Sequence, residues 1–418
     1  MFEMPLMFFE EGEGFITLPA LKKFTKDIGK KEFRTTEDRA TLLRNIEKFA
    51  NESSANEEIV LSWIDSILKE GIKEVHVRLL DISLEKKAFL ENYKCVNKIL
   101  SDNIYDNNKK HLYNSYTADI RLFRFDITDT KQGRVITLYM GKLLYMFDKK
   151  EKTSRTIMYP IVADIYPSQG IVAVRAKSKA DLYKYMEKFA IEAATRTKVD
   201  KEIEQAFTFI SNLFSFEFKK PTEASTEFKR RLYMLLDRFT KTPDCILQMI
   251  QEKKDDIEKI KQLIVNDICK LSITKYGKDV EADVSNMIEK YFSISYPDKK
   301  IFTRERDAYP LKLLASDDEE SKVEQTAGLA EPLQSKAIFF DNKKMLQKSR
   351  KCEGVKFVFR RLNTLYTSKD FIVNIVIQKN YCALKFTEYT MEEDILNVLF
   401  SFIAAEDNVE RTANPAIE

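Results

Sequence analysis

The spacing of apolar residues changes along the chain, and each change predicts a new kind of element. Leu42, Leu43, Ile46 and Phe49 follow a helical period behind Thr35-Thr36-Glu37-Asp38, a capping-box pattern. Ile59, Trp63 and Ile67 do the same behind the box from Ser54 to Glu57, and Gly71 supplies a stop. "IKEVHVRLL" then alternates Val75, Val77 and Leu79, as a half-buried strand does. A helix is expected to follow from Leu84 to Leu100. Residues 1–115 read as a mostly helical N-terminal region with one strand.

From 116 to 178 the period falls to two. "TADIRLFRFDIT" and "GRVITLYMGKLLYMF" alternate, "SRTIMYPIVADIY" is rich in β-formers, "PSQG" is a turn, and "IVAVRAK" closes the set. This predicts an antiparallel β-meander with short charged turns. Residues 179–314 return to helical spacing and read as a helical bundle. Ser178 to Asp181 forms a capping box before Leu182, Met186, Phe189 and Ala193. Further on, Ile246, Ile250, Ile257, Ile260, Ile264, Ile268 and Leu271 trace one face of a long helix, with Lys253 interrupting. Such stripes bury against one another in a bundle, and a coiled-coil seam over 245–271 is the alternative.

Residues 315–334 are acidic and read as a linker or loop. Residues 335–405 predict a small β-β-β-α module: "VKFVF", "FIVNIVIQ" and "YCALKF" as strands, then a helix through Ile395, Leu399, Phe402 and Ile403. Residues 406–418 form an acidic tail. The expected fold class is α+β: antiparallel meander, central helical bundle and small C-terminal β-β-β-α module.

Composition narrows the function classes. The 418 residues are 44% hydrophobic and 32% charged, enough apolar content for packed cores. The net charge of +3 is too small for a protein that coats nucleic acid along its length, so any polyanion site must be local. Cys95, Cys245, Cys269, Cys352 and Cys382 never fall as C-x-x-C, which fits reduced thiols in a cytoplasmic protein. No apolar run is long enough to span a membrane.

Catalytic signatures are missing. His76 sits in an alternating strand, where a structural or exposed histidine is the plain reading, and His111 has no motif around it. No phosphate loop, nucleophile elbow or metal-spaced histidine pair occurs. One hairpin approaches the PD-(D/E)xK nuclease pattern: Asp164, the "PSQG" turn, then "VRAK" ending at Lys177. The acid needed two residues before the lysine is replaced by Arg175, which leaves a metal short of a ligand. An ordinary hairpin with a solvent-facing Asp164 is expected. No catalytic residue, metal or cofactor is assigned.

Charge supplies the one positive lead. "DNKKMLQKSRKCEGVKFVFRRL", residues 341–362, holds Lys343, Lys344, Lys348, Arg350, Lys351, Lys356, Arg360 and Arg361 against Asp341 and Glu353, a net +6. Strand alternation puts Lys356 and Arg360 on one face and sends Phe357 and Phe359 to the core. The meander adds Lys149, Lys150, Lys152 and Arg155 around an exposed turn, and Arg121, Arg124, Arg134 and Lys142 along its strands. A third patch is Lys229, Arg230 and Arg231. Residues 388–418 carry a net −7 and are expected to shield the strip in part. The leading expectation is a non-catalytic nucleic-acid-binding subunit of a cytosolic assembly. The alternative is a protein-interaction scaffold or adaptor, using the helical bundle for partners or self-association. An accessory component of a bacterial anti-phage defence or mobile-element system is one setting for it.

Overall fold

The computed structural model describes residues 2–4, 15–29, 38–105, 117–148, 153–186, 194–271, 275–316, 322–328, 331–362 and 368–405. The fold is α+β with antiparallel strand pairing. The chain divides into two compact units: Met1–Lys220 with Lys385–Ile395, and Pro221–Leu384 with the chain from Leu396 on.

The first unit begins with α1 (Leu18–Ile28), α2 (Arg39–Glu52) and α3 (Ser54–Lys69). Each has its first turn tied by a side-chain cap: Thr17, Asp38 and Ser53 accept from Ala20, Thr41 and Asn56. The caps of α2 and α3 sit at the edges of the predicted boxes, and Thr35 to Glu37 lie outside the described residues. Strand β1 (Glu74–Asp81) follows, then α4 (Leu84–Glu91) and α5 (Tyr93–Asp102). The single helix expected over 84–100 is broken at Asn92, whose side chain caps α5 by accepting from Lys94 and Cys95.

The meander is β2 (Arg121–Thr130), β3 (Gly133–Asp148), β4 (Thr153–Tyr166) and β5 (Ile171–Ala176). Consecutive strands pair antiparallel, with Tyr139 opposite Val162 and Asp164 opposite Ala173. The predicted "PSQG" turn closes through Gly170, whose φ of +63° suits glycine and whose N–H donates to the Pro167 carbonyl. Strand β5 pairs β1, placing Glu74 opposite Ala176 and His76 opposite Val174.

The next segment differs from expectation. The helix predicted from Ser178 is absent over the residues described there. Asp181 takes a left-handed φ of 53°, and β6 (Leu182–Lys184) lies along the free edge of β3. Tyr185 stacks on Tyr145 and Tyr183 packs edge-on to Phe147. Cross-strand aromatic pairs outweigh a helical period this short. Phe189 and Ala193 lie outside the described residues. Then come β7 (Arg196–Thr197), α6 (Val199–Phe214) and β8 (Glu217–Phe218). Helix α6 buries Ile203, Ala206, Phe207, Ile210 and Phe214 in the core of this unit.

The second unit opens with α7 (Pro221–Phe239), α8 (Asp244–Glu252), α9 (Lys254–Gln262), a π-helical stretch over Leu263–Ile268, and α10 (Lys275–Ser295). Strands β9 (Ala308–Ser316) and β10 (Lys322–Thr326) form an antiparallel pair. This strand pair occupies the end of the expected bundle and part of the expected acidic linker. The "AYPLKLLAS" run alternates in burial, a period-two signal overshadowed by the acids that follow. After α11 (Ala337–Ser349) come β11 (Gly354–Arg360), β12 (Asp370–Ile377), β13 (Cys382–Phe386) and α12 (Glu392–Ile403), the predicted β-β-β-α order. Phe357 and Phe359 are fully buried, each edge-on to Phe239 of α7.

Candidate functional site

The basic strip resolves into side chains with different fates. Helix α11 carries Lys343, Lys344 and Lys348, and it packs beside α10. Lys343 Nζ lies 2.8 and 2.7 Å from the two carboxylate oxygens of Glu289, and Lys344 Nζ lies 2.8 Å from Asp283 Oδ2. Asp341 of the same helix accepts from Lys290 at 2.6 Å. The strip is therefore neutralised in part by α10, a neighbour that charge counting along the chain does not reveal. The acidic residues from Glu406 onward, expected to act as the shield, lie outside the described residues.

Further along the strip, Arg360 donates to the carbonyls of Thr303 and Arg304, and Arg361 lies over the Phe371 ring at 5.3 Å. Lys356 is half-buried on β11, between Asn374 and Lys312 of the flanking strands. Lys348, Arg350 and Lys351 are exposed and make no ion pair among the described residues. They cluster where α11 ends, at Arg350, whose φ of 50° turns the chain out of the helix. In the meander, Arg155 is half-buried on β4, while Lys149, Lys150 and Lys152 lie outside the described residues.

Five further cations are paired within their own unit. Arg124 meets Asp65 and Asp126, Arg134 meets Asp129 at 2.8 Å, and Lys142 meets Glu202 at 3.0 Å. Lys229 meets Glu353 at 2.7 Å, and Arg231 meets Glu227 at 2.6 Å.

The nuclease-like hairpin is corrected in one respect. Asp164 does not face solvent; it is 2% exposed. Its Oδ1 accepts from Thr137 at 2.7 Å, and its Oδ2 accepts from Arg175. Glu392 Oε1 lies 3.2 Å from the same guanidinium. Burial works against the charge of Arg175, yet these two carboxylates outweigh it and hold its pKa above the ordinary value. Arg175, which spoils the metal pattern, is the partner that lets Asp164 be buried.

Helical residues supply a different surface. Of the isoleucine stripe, Ile246 is fully buried and Ile257 nearly so. Ile260 is 44% exposed and Ile268 68% exposed, and Leu247 and Leu263 beside them are about half exposed. The expected continuous helix is broken at Lys253 and widened at 263–268, where the Cys269 N–H donates back to the Ile264 carbonyl. The stripe thus fails to bury as one face.

A second polar group gathers where α6 meets the sheet. Glu74 and His76 share one face of β1, and Asp200 approaches from the first turn of α6. Burial opposes the charge of Glu74, but the neighbouring His76 and Lys385 side chains prevail and hold its carboxyl down at about 2. Two residues after Asp200, fully buried Glu202 accepts from Thr197 Oγ1 at 2.5 Å and pairs with Lys142. Sequence reading missed Glu74, Asp200 and Glu202. The spacing Glu74-x-His76 on a strand was the available signal; the α6 partners are remote in sequence. A comparison with protein-family models, curated proteins and solved structures finds no match.

Proposed function

We propose that this chain is a non-catalytic protein-interaction subunit that docks a second copy of itself through the uncovered stripe of the second unit. The observation that carries this reading is the exposure of Leu247, Ile260, Leu263 and Ile268 on consecutive helical segments. Large apolar side chains so grouped on a helix are the ordinary anchors of helix–helix docking. Helix α9 carries three lysines, at 254, 259 and 261, and three acids, at 255, 256 and 258. It is neutral, so two copies meeting there suffer no net repulsion. The test is sedimentation velocity of the full chain over a wide concentration range. Concentration-dependent dimers are expected, and Leu263→Asp with Ile268→Asp should leave a folded monomer. A wild-type chain that stays monomeric up to about 100 times the concentration of a typical micromolar dissociation constant removes the self-docking reading.

A second reading keeps one observation of its own. The exposed cluster of Lys348, Arg350 and Lys351 suits a phosphate-bearing polymer. Three neutralised phosphates give a slope of log affinity against log salt of about −2.7 on duplex DNA. Fluorescence anisotropy with labelled duplex measures it, and changing all three residues to Ala should abolish the salt-dependent part. A slope untouched by that triple change removes the reading.

A further inference from the structure

Three potential metal donors converge in the first unit, on two different elements. Glu74 and His76 stand two apart on β1, and Asp200 stands in the first turn of α6. Their donor atoms all lie within 4.8 Å of one another. His76 Nε2 is 3.5 Å from Glu74 Oε2 and 3.5 Å from Asp200 Oδ1. Both separations exceed the usual ~2.7–3.2 Å of an N–H···O hydrogen bond. They suit the edge of a tetrahedral site, where donors about 2.1 Å from a cation stand about 3.4 Å apart. The imidazole is 1% exposed, so this is no patch of surface acids. The Asp200 side chain is 50% exposed, which leaves one side open as an entry path.

We propose that Glu74, His76 and Asp200 form a binding site for a divalent transition-metal cation, with an open position toward solvent at Asp200. One imidazole and two carboxylates suit zinc best, and manganese more weakly. The two carboxylates offset the charge of the ion. Lys385 Nζ, 2.9 Å from Glu74 Oε2, competes with the ion for that oxygen. The site belongs to the first unit and depends on nothing proposed for the helical stripe of the second.

The full chain, treated with chelator and dialysed, is titrated with zinc and separately with manganese in a calorimeter. One equivalent of tight zinc and weaker manganese are expected. Asp200→Asn should weaken zinc by at least about tenfold, the scale seen even for residues one shell removed from a metal. Lys385→Ala should tighten it, because the competing cation is gone. Zinc held elsewhere, for example by the exposed thiol of Cys269, would ignore both changes, and that result overturns the proposal. No binding by the unmodified chain overturns it as well. Should circular dichroism find Asp200→Asn misfolded, Lys385→Ala decides alone: unchanged or weaker zinc affinity sinks the site.

Discussion

The two units break the usual arrangement of side chains in opposite ways. In the first, charge goes inside: Asp164, Arg175, Lys142 and Glu202 are all at least nine-tenths buried in or against the sheet. In the second, apolar surface stays outside along α8, α9 and the π-helical turn. The contrast separates two ways of meeting a cost. A buried charge is tolerable once partners within the same fold satisfy it, as Asp164 and Arg175 satisfy each other. Exposed leucines and isoleucines occur in the first unit too, at Ile59, Ile72 and Leu84, but in the second four of them fall on consecutive helical segments, which is why the second unit is the one read as incomplete by itself.

The comparison is broken most forcefully at Lys73, a buried cation of the first unit for which no ion pair occurs among the described residues. Burial, with help from Lys177 and Arg175, pulls its pKa from 10.5 to about 7. The unfolded chain therefore holds a proton between about pH 7 and 10.5 that the folded chain has released. Stability should rise with pH across that window, and the penalty should be fully present below it. The expected size is roughly 1.4 kcal/mol per pK unit. Lys73→Met should be more stable than the natural chain at pH 7 and should lose the rise. Urea unfolding of both chains from pH 6 to 10 checks this, and parallel curves would show that Lys73 is not held as a buried cation.

Next in size is Arg175→Ala. It strands Asp164 in the sheet and should cost about 3–5 kcal/mol in urea unfolding. Replacing Arg175 and Asp164 together by Met and Leu should recover most of that loss. A double variant as weak as the single one would mean that packing, not charge, sets the cost.

Within the isoleucine stripe, Ile246→Ala should cost about 2–5 kcal/mol, whereas Ile268→Ala should stay within about 0.5 kcal/mol. Equal costs would mean that the stripe is covered along its whole length. Smaller than the Ile246 effect is Lys343→Ala, which removes a half-buried pair with Glu289 and should cost about 1 kcal/mol. Changing Lys348, Arg350 and Lys351 together to Ala should leave the melting temperature almost unmoved. A clear drop there would show that these cations are structural.

Much of the architecture was legible because it rests on local periodicity. The meander, the order of the C-terminal module and the burial of Phe357 and Phe359 all follow from period-two alternation. Legibility failed where long-range pairing competes with local pattern. Leu182 to Lys184 read as helix because Leu182, Met186, Phe189 and Ala193 fall at helical spacing, yet the open edge of β3 recruits them. For the candidate site, the +6 strip was visible as a count, but the acids that answer Lys343 and Lys344 come from α10, more than fifty residues earlier. Charge counting finds a patch; only packing finds its counterions. His76 illustrates the same limit, since its carboxylate partner on α6 is brought to it by the fold.

The π-helical turn has a consequence best put as phase. Each residue of an α-helix advances the side-chain direction by about 100°. A π turn holds one residue more than the α turn it replaces, so whatever follows is rotated by about that angle. Ile246 and Ile257, before the turn, are buried, and Ile268, at its end, is exposed, although Ile260 already lies at the surface ahead of it. The extra residue works as a clutch that puts the end of the stripe, Ile268, out of phase with Ile257. Deleting one residue within 263–268 is the smallest change that would bring Ile268 back into phase, so its exposure is encoded in the length of this segment as much as in its composition.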